Sequence, residues 1–161
     1  MSDDSLPVSD VLPDTGRILG IDFGTVRIGI AVCDPQQSIG SPLETRNVST
    51  PEKDGEYFCG LAKTESAVGF VVGLPVHMSG DASQKSREAV TFGKWLRETT
   101  GLPVAWIDER YSTAMAKEIC RQMGLKGDKR KKYLDRIAAQ VILSAWIEQG
   151  DRVDPPPSLD R

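Results

Sequence analysis

Arg17-Ile18-Leu19-Gly20-Ile21-Asp22-Phe23-Gly24-Thr25 is an apolar run interrupted by one carboxylate and stopped by a glycine turn. Almost no position is polar, which is the habit of a central strand buried on both faces. Side chains alternate along a strand, so Asp22 shares a face with Gly20 and Ile18, while Leu19, Ile21 and Phe23 share the other. An aspartate withdrawn from water must be paired, hydrogen-bonded or bound to a metal, or it protonates. Two readings stand at this point: a turn aspartate capping the Gly24 amide, or one member of a reactive set.

The residues around this strand supply a mixed sheet. Gly24-Thr25 turns into Val26 to Cys33, where Ile28, Ile30 and Val32 alternate with Arg27, Gly29, Ala31 and Cys33, a second strand hairpin-paired to the first. Its small residues could leave open space beside Asp22. Gly40 to Val48 is more polar and reads as an edge strand. A helix is expected over Pro51 to Ser66, weakened by Gly55 and Gly60, then a wholly apolar strand from Ala67 to Pro75. Asp81 caps a helix that carries Ala82, Ala89, Phe92 and Leu96 on one face and closes at Gly101. Leu102 to Ile107 is a further buried strand running into Asp108-Glu109-Arg110. Ser112 or Thr113 caps a helix with Met115, Ile119 and Met123 at i, i+4 and i+8, ended by Gly124. A last helix spans about Lys131 to Glu148. Three antiparallel strands followed by strand and helix in alternation argue a mixed α/β sheet, with chemistry at the carboxyl ends of its parallel strands.

Composition narrows the function. The chain has 161 residues, 39% hydrophobic and 27% charged, with a net charge of −3, as an ordinary globular domain would. Residues 17–150 form the folded domain, flanked by tails at 1–16 and 151–161 that lack periodicity. No run is long enough to span a membrane and the start is acidic where a signal peptide would be basic, so a cytoplasmic location is expected. Cys33, Cys59 and Cys120 are widely separated and read as reduced thiols. With His77 the single histidine, acid–base or metal chemistry must rest on carboxylates.

Three carboxylates stand on different elements. Asp22 ends its strand. Asp108 and Glu109 close the last strand and point to opposite faces, so at most one of them faces the same site as Asp22. Asp135 leads Ala138, Ala139, Ile142 and Trp146 on a core-facing stripe, with a role at the helix N-terminus as the bland alternative. Oxygen ligands without histidine suit Mg²⁺ or Mn²⁺, and two such ions can drive phosphodiester hydrolysis. Lys126, Lys129, Arg130, Lys131, Lys132 and Arg136 lie beside Asp135 and suit phosphate-backbone contacts. Arg27 and Arg110 are further candidates for phosphates, or for salt bridges to the sheet-end carboxylates.

Four blocks resemble, in order, the signatures of the YqgF (RuvX) family: Leu19 to Gly29, Val72-Gly73-Leu74-Pro75, Asp108 to Thr113, and Asp135 to Ala139. The resemblance spans residues 17 to about 150. It implies a ribonuclease-H-like fold of five strands and a cytoplasmic hydrolase using Mg²⁺ or Mn²⁺ at Asp22, Glu109 and Asp135. It also implies a role in maturing the 5′ end of the small-subunit ribosomal RNA, with Holliday-junction resolution as the alternative substrate class. Precursor ribosomal RNA, branched DNA and the ribosome or its precursor particle are the implied partners, with the protein a monomer or a homodimer. Phe23 stands where a tyrosine is common, and His77-Met78-Ser79-Gly80 departs from the usual asparagine-containing loop. Two other readings remain: a nucleic-acid-binding ribosome-assembly factor with weak turnover, and a sugar-kinase or actin-like ATPase suggested by Asp-Phe-Gly-Thr, which would need a second lobe.

Overall fold

The computed structural model describes residues 7–75, 80–109 and 112–149. The elements run β1 Arg17–Asp22, β2 Arg27–Cys33, β3 Gly40–Asn47, α1 Pro51–Glu65, β4 Ala67–Leu74, α2 Gly80–Thr100, β5 Val104–Asp108, α3 Ser112–Gln122 and α4 Gly127–Gln149. This is the β-β-β-α-β-α-β-α-α order that hydrophobic periodicity and turn residues predict. One five-stranded sheet has the order β3-β2-β1-β4-β5. β1–β2 and β2–β3 are antiparallel, and β4 and β5 are added in parallel to β1. The most apolar strands, β1 and β4, lie inside the sheet, and the polar β3 lies at one edge.

Strand alternation divides the interior into two layers. Leu19, Ile21, Ile28, Ile30, Phe70, Val72 and Trp106 face α1 and α2, where they meet Phe58, Phe92 and Leu96. Phe23 joins this side, stacked on Phe92 at a ring separation of 4.6 Å. Ile18, Ala31, Cys33, Val71, Ala105 and Ile107 face α4 through Ala139, Ile142, Leu143 and Trp146. Glycine lets α4 come close: a Cβ at Gly20 would lie 2.8 Å from that of Leu143, and one at Gly29 would lie 1.9 Å from the backbone oxygen of Asp135. The space expected beside Asp22 is thus occupied by the backbone of α4.

Local chemistry sets the helix ends. Thr50 caps α1 by accepting from the Lys53 amide, Pro51 starts it, and Ser66 ends it in the left-handed region, as capping rules require. α2 begins at Gly80, so Asp81, expected as its cap, falls inside the helix, and the residue before Gly80 lies outside the described ones. Two other expectations change. α4 begins at Gly127 rather than near Lys131, because the Arg130 amide already donates to the Lys126 carbonyl; the positive φ of 63° at Gly127 marks the turn into the helix. In α3, Ala116 and Cys120 face the core against Ile137 and Ala138, while Met115 and Met123 are about half exposed. The small residues win the inward face because they allow α3 to approach α4 closely.

The expected tail at 1–16 is in part an ordered strap. The Asp10 amide donates to the Val104 carbonyl and the Val104 amide to the Asp10 carboxylate, while the Trp106 amide donates to the Ser9 hydroxyl. Arg97 pairs with Asp10 at 2.9 Å, Leu12 is buried, and Gln37 holds the Pro13 and Gly16 carbonyls through its amide nitrogen. These contacts occupy backbone groups on the free edge of β5, which would otherwise be open for pairing. Residues 151–161, expected as the second tail, lie outside the described residues.

Candidate nuclease site

β1, β4 and β5 run in parallel, so their carboxyl ends share one edge of the sheet. Asp22 is the last residue of β1 and stands opposite Gly29 of β2. The Glu109 amide donates to the Leu74 carbonyl at the end of β4, and its side chain continues the α4-facing series of Ala105 and Ile107. Asp108 is exposed on the opposite parity, so of the adjacent pair it is Glu109 that joins Asp22. Gly73 makes room for it: a Cβ there would lie 2.5 Å from Glu109 Oε1. Asp135 reaches the same region from α4, with its backbone against Gly29. It lies more than two turns inside the helix, beyond the first turn where the helix dipole acts, so the capping alternative fails.

The electrostatics record this proximity. Burial, then the charges of Glu109 and Asp135, hold the Asp22 carboxyl well above the usual carboxylate range, with Lys85 acting in the opposite sense. Burial, then the charge of Asp108, raise Glu109 to about 7, again opposed by Lys85. Desolvation and like charges both disfavour ionisation, so the site concentrates more negative charge than it compensates. Among the described residues no hydrogen-bond partner meets the buried Glu109 Oε1, where a buried carboxylate oxygen ordinarily has one. Among the described residues no three His, Cys, Asp or Glu side chains converge as a ready-formed metal cage. The orphaned oxygen and the all-oxygen donor set nonetheless fit a hard divalent cation.

The basic residues separate into two groups. Lys126, Lys129, Lys131 and Lys132 are exposed on the first turns of α4 and the segment before it. Arg27 donates its Nε to Asp135 Oδ2 at 2.7 Å. Arg136 donates to the Thr45 hydroxyl and lies 5.5 Å over the Tyr133 ring, fastening α4 to β3. Arg130 is half-buried, close enough to Cys120 to act on its thiol. Arg110 and His77 lie outside the described residues. Lys85, on the second turn of α2 beside Ser86, whose hydroxyl donates to the Pro75 carbonyl, is a neighbour of the carboxylates that sequence reasoning missed. An exposed lysine on an amphipathic helix carries no signal of its own.

The pattern of the RuvX family, described as Holliday junction resolvase, matches residues 16–149. The chain belongs to the RuvX family. A relative from Rhodopirellula baltica, provisionally named a pre-16S rRNA nuclease, is 50% identical over 139 residues, covering 86% of this chain and 80% of its own. A relative from Neisseria gonorrhoeae with the same provisional name is 38% identical over 138 residues, covering 84% of this chain and 89% of its own. Among solved structures, Thermus thermophilus RuvC in complex with a Holliday junction superposes with a TM-score of 0.52 at 17% identity, covering 84% of this chain and 96% of that one. That likeness shows the fold: a ribonuclease-H-like sheet of the RuvC kind. Family membership therefore agrees with the four sequence blocks, and places the chain among nucleases. No helix among the described residues is long and apolar enough to cross a membrane.

Proposed function

We propose that this RuvX-family protein is a divalent-metal-dependent nuclease that hydrolyses phosphodiester bonds in the cytoplasm, trimming the 5′ end of pre-16S ribosomal RNA. The observation that supports the chemistry is that the charges of Glu109 and Asp135 both act on Asp22 at one sheet edge, with Glu109 raised to about 7 and one of its oxygens without a partner among the described residues. Asp22, Glu109 and Asp135 would hold Mg²⁺ or Mn²⁺. When bound, the ion supplies a water activated at neutral pH and neutralises charge at the leaving oxygen.

The chain's own residues do the rest. Gly29 leaves room for the backbone of Asp135, and Gly73 for the carboxylate of Glu109. Lys126, Lys129, Lys131 and Lys132, exposed on the side of α4 that leads to Asp135, attract the phosphate backbone without reading bases. Lys85 adds positive charge that acts on Asp22 and Glu109. The RNA assignment rests on the provisional names of relatives at 50% and 38% identity; the family's description supports branched DNA as the second reading.

The test is cleavage of labelled precursor ribosomal RNA and of a four-way DNA junction side by side, with Mg²⁺, Mn²⁺ or EDTA. Metal-dependent cutting of the RNA at its 5′ side, with the junction intact, is expected. Preferential cutting of the junction would replace the substrate, and binding of RNA with no cleavage in any metal would replace the enzyme by an assembly factor.

A further inference from the structure

Arg27 is the first residue of β2, and its Nε meets Asp135 Oδ2 at 2.7 Å across 108 positions of sequence. Two residues on, Gly29 receives the backbone of Asp135 so closely that a Cβ would stand 1.9 Å from its carbonyl oxygen. Gly29 is also the partner of Asp22 in the β1–β2 ladder. The same short piece of β2 therefore fixes the backbone of Asp135 through Gly29, fixes its carboxylate through Arg27, and registers both against Asp22. The contact is single: among the described hydrogen bonds only one guanidinium nitrogen engages Asp135 and only through Oδ2, which leaves Oδ1 to another partner. The Asp135 side chain is 17% exposed and that of Arg27 is 36% exposed, so the pair lies at the rim of the site and not in bulk solvent.

We propose that Arg27 is a positioning residue: it holds Asp135 by one oxygen so that the other faces the Asp22–Glu109 edge, and thereby sets the affinity of the site for a divalent cation. The inference rests on the reading of Asp135 as a ligand in the proposed nuclease site. Carboxylates that bind metals are commonly held by hydrogen bonds from neighbours that do not touch the ion, and loss of such a partner costs about 10–100-fold in affinity. A guanidinium suits the task because its donors are fixed in a plane, which an ammonium cannot reproduce. Arg27 is then occupied with Asp135 and is not one of the residues that meet the substrate phosphates directly.

Mn²⁺ titration of the intact protein, followed by calorimetry and by the spin signal of free Mn²⁺, tests this without reference to turnover. Arg27→Gln should lower Mn²⁺ affinity about tenfold or more, and Arg27→Lys should fall between it and wild type, with thermal unfolding confirming the fold of each. Asp135→Asn should lose affinity as well, and adding Arg27→Gln to it should cost little further, because Arg27 acts through Asp135. If Asp135→Asn binds weakly while Arg27→Gln binds as tightly as wild type or more tightly, Arg27 is at most a competing charge and the proposal fails. If Asp135→Asn binds Mn²⁺ as wild type does, the ligand reading itself fails, and the positioning role with it.

Discussion

The two faces of one sheet are built from the same strands by different rules. The face toward α1 and α2 is filled by large side chains: Phe58 contacts the rings of Tyr57, Phe92 and Trp95, and Trp106 donates its indole N–H to the Ala89 carbonyl. The face toward α4 is thinned by Gly20, Gly29 and Gly73, and at its carboxyl-end edge it carries Asp22, Glu109 and Asp135. One face gains stability from area removed from water. The other gives some of that up to bring a helix backbone against the sheet and to gather like charges, so neutralising one of those charges should act on function and on stability in opposite senses.

Gly29→Ala would break the comparison most severely. Its Cβ would meet the backbone of Asp135, which cannot turn aside as a side chain can, so urea unfolding should show a loss of about 4 kcal/mol or a failure to fold, with Mn²⁺ affinity lost even where folded protein is recovered. Phe58→Leu on the other face should cost about 1–2 kcal/mol and leave cleavage per folded molecule unchanged. Equal losses of activity from these two variants would erase the distinction between the faces.

Acidity probes the carboxylate edge more gently. Glu109 is raised from its ordinary 4.5 to about 7, so between those values the folded chain binds more protons than the unfolded one. Its contribution is present below about 4.5 and is lost as pH rises through 7; Asp22 is shifted the same way. In EDTA the protein should therefore unfold at a higher temperature at pH 6 than at pH 8, by about 1 kcal/mol in stability, and saturating Mg²⁺ should flatten that dependence because ligation releases the protons. A thermal midpoint in EDTA that rises steadily from pH 6 to pH 8 would contradict it. Smallest of all, Met115→Ser should change stability by less than about 0.5 kcal/mol, since Met115 is half exposed and the inward positions of α3 are Ala116 and Cys120.

How much of this was legible in the sequence differs by element. The strands could be read because the patterns of β1, β4 and β5 leave no polar face, and Asp22 stood out against that background. Alternation told that only one of Asp108 and Glu109 could face the site; which one required the register of β5 on β4. Asp135 was visible on the apolar stripe of α4, but its depth in the helix was not, because Gly124, Gly127 and the basic run from Lys126 to Lys132 read as a loop. Of the stripe Met115, Ile119 and Met123 only Ile119 packs against the core; the methionines misled, since periodicity ranks residues by polarity and cannot see that Ala116 and Cys120 permit the closer approach of two helices. The strap at residues 9–12 carries no periodicity at all: Ser9 and Asp10 find their partners about 95 positions away. The Arg27–Asp135 pair and Lys85 are likewise tertiary facts, settled by where α4 and α2 come to rest.

The most direct test of the account uses Asp22→Asn with two readouts on the same preparation. The variant keeps the shape of the side chain and removes one charge from the carboxylate edge. Cleavage of precursor ribosomal RNA in Mg²⁺ should be lost, while stability in EDTA at pH 8 should rise by about 1 kcal/mol, the trade expected of a residue kept for function against the interest of the fold. Normal cleavage by Asp22→Asn, or a loss of stability like that of a core substitution, would contradict the claim that this edge of the sheet is a catalytic metal site.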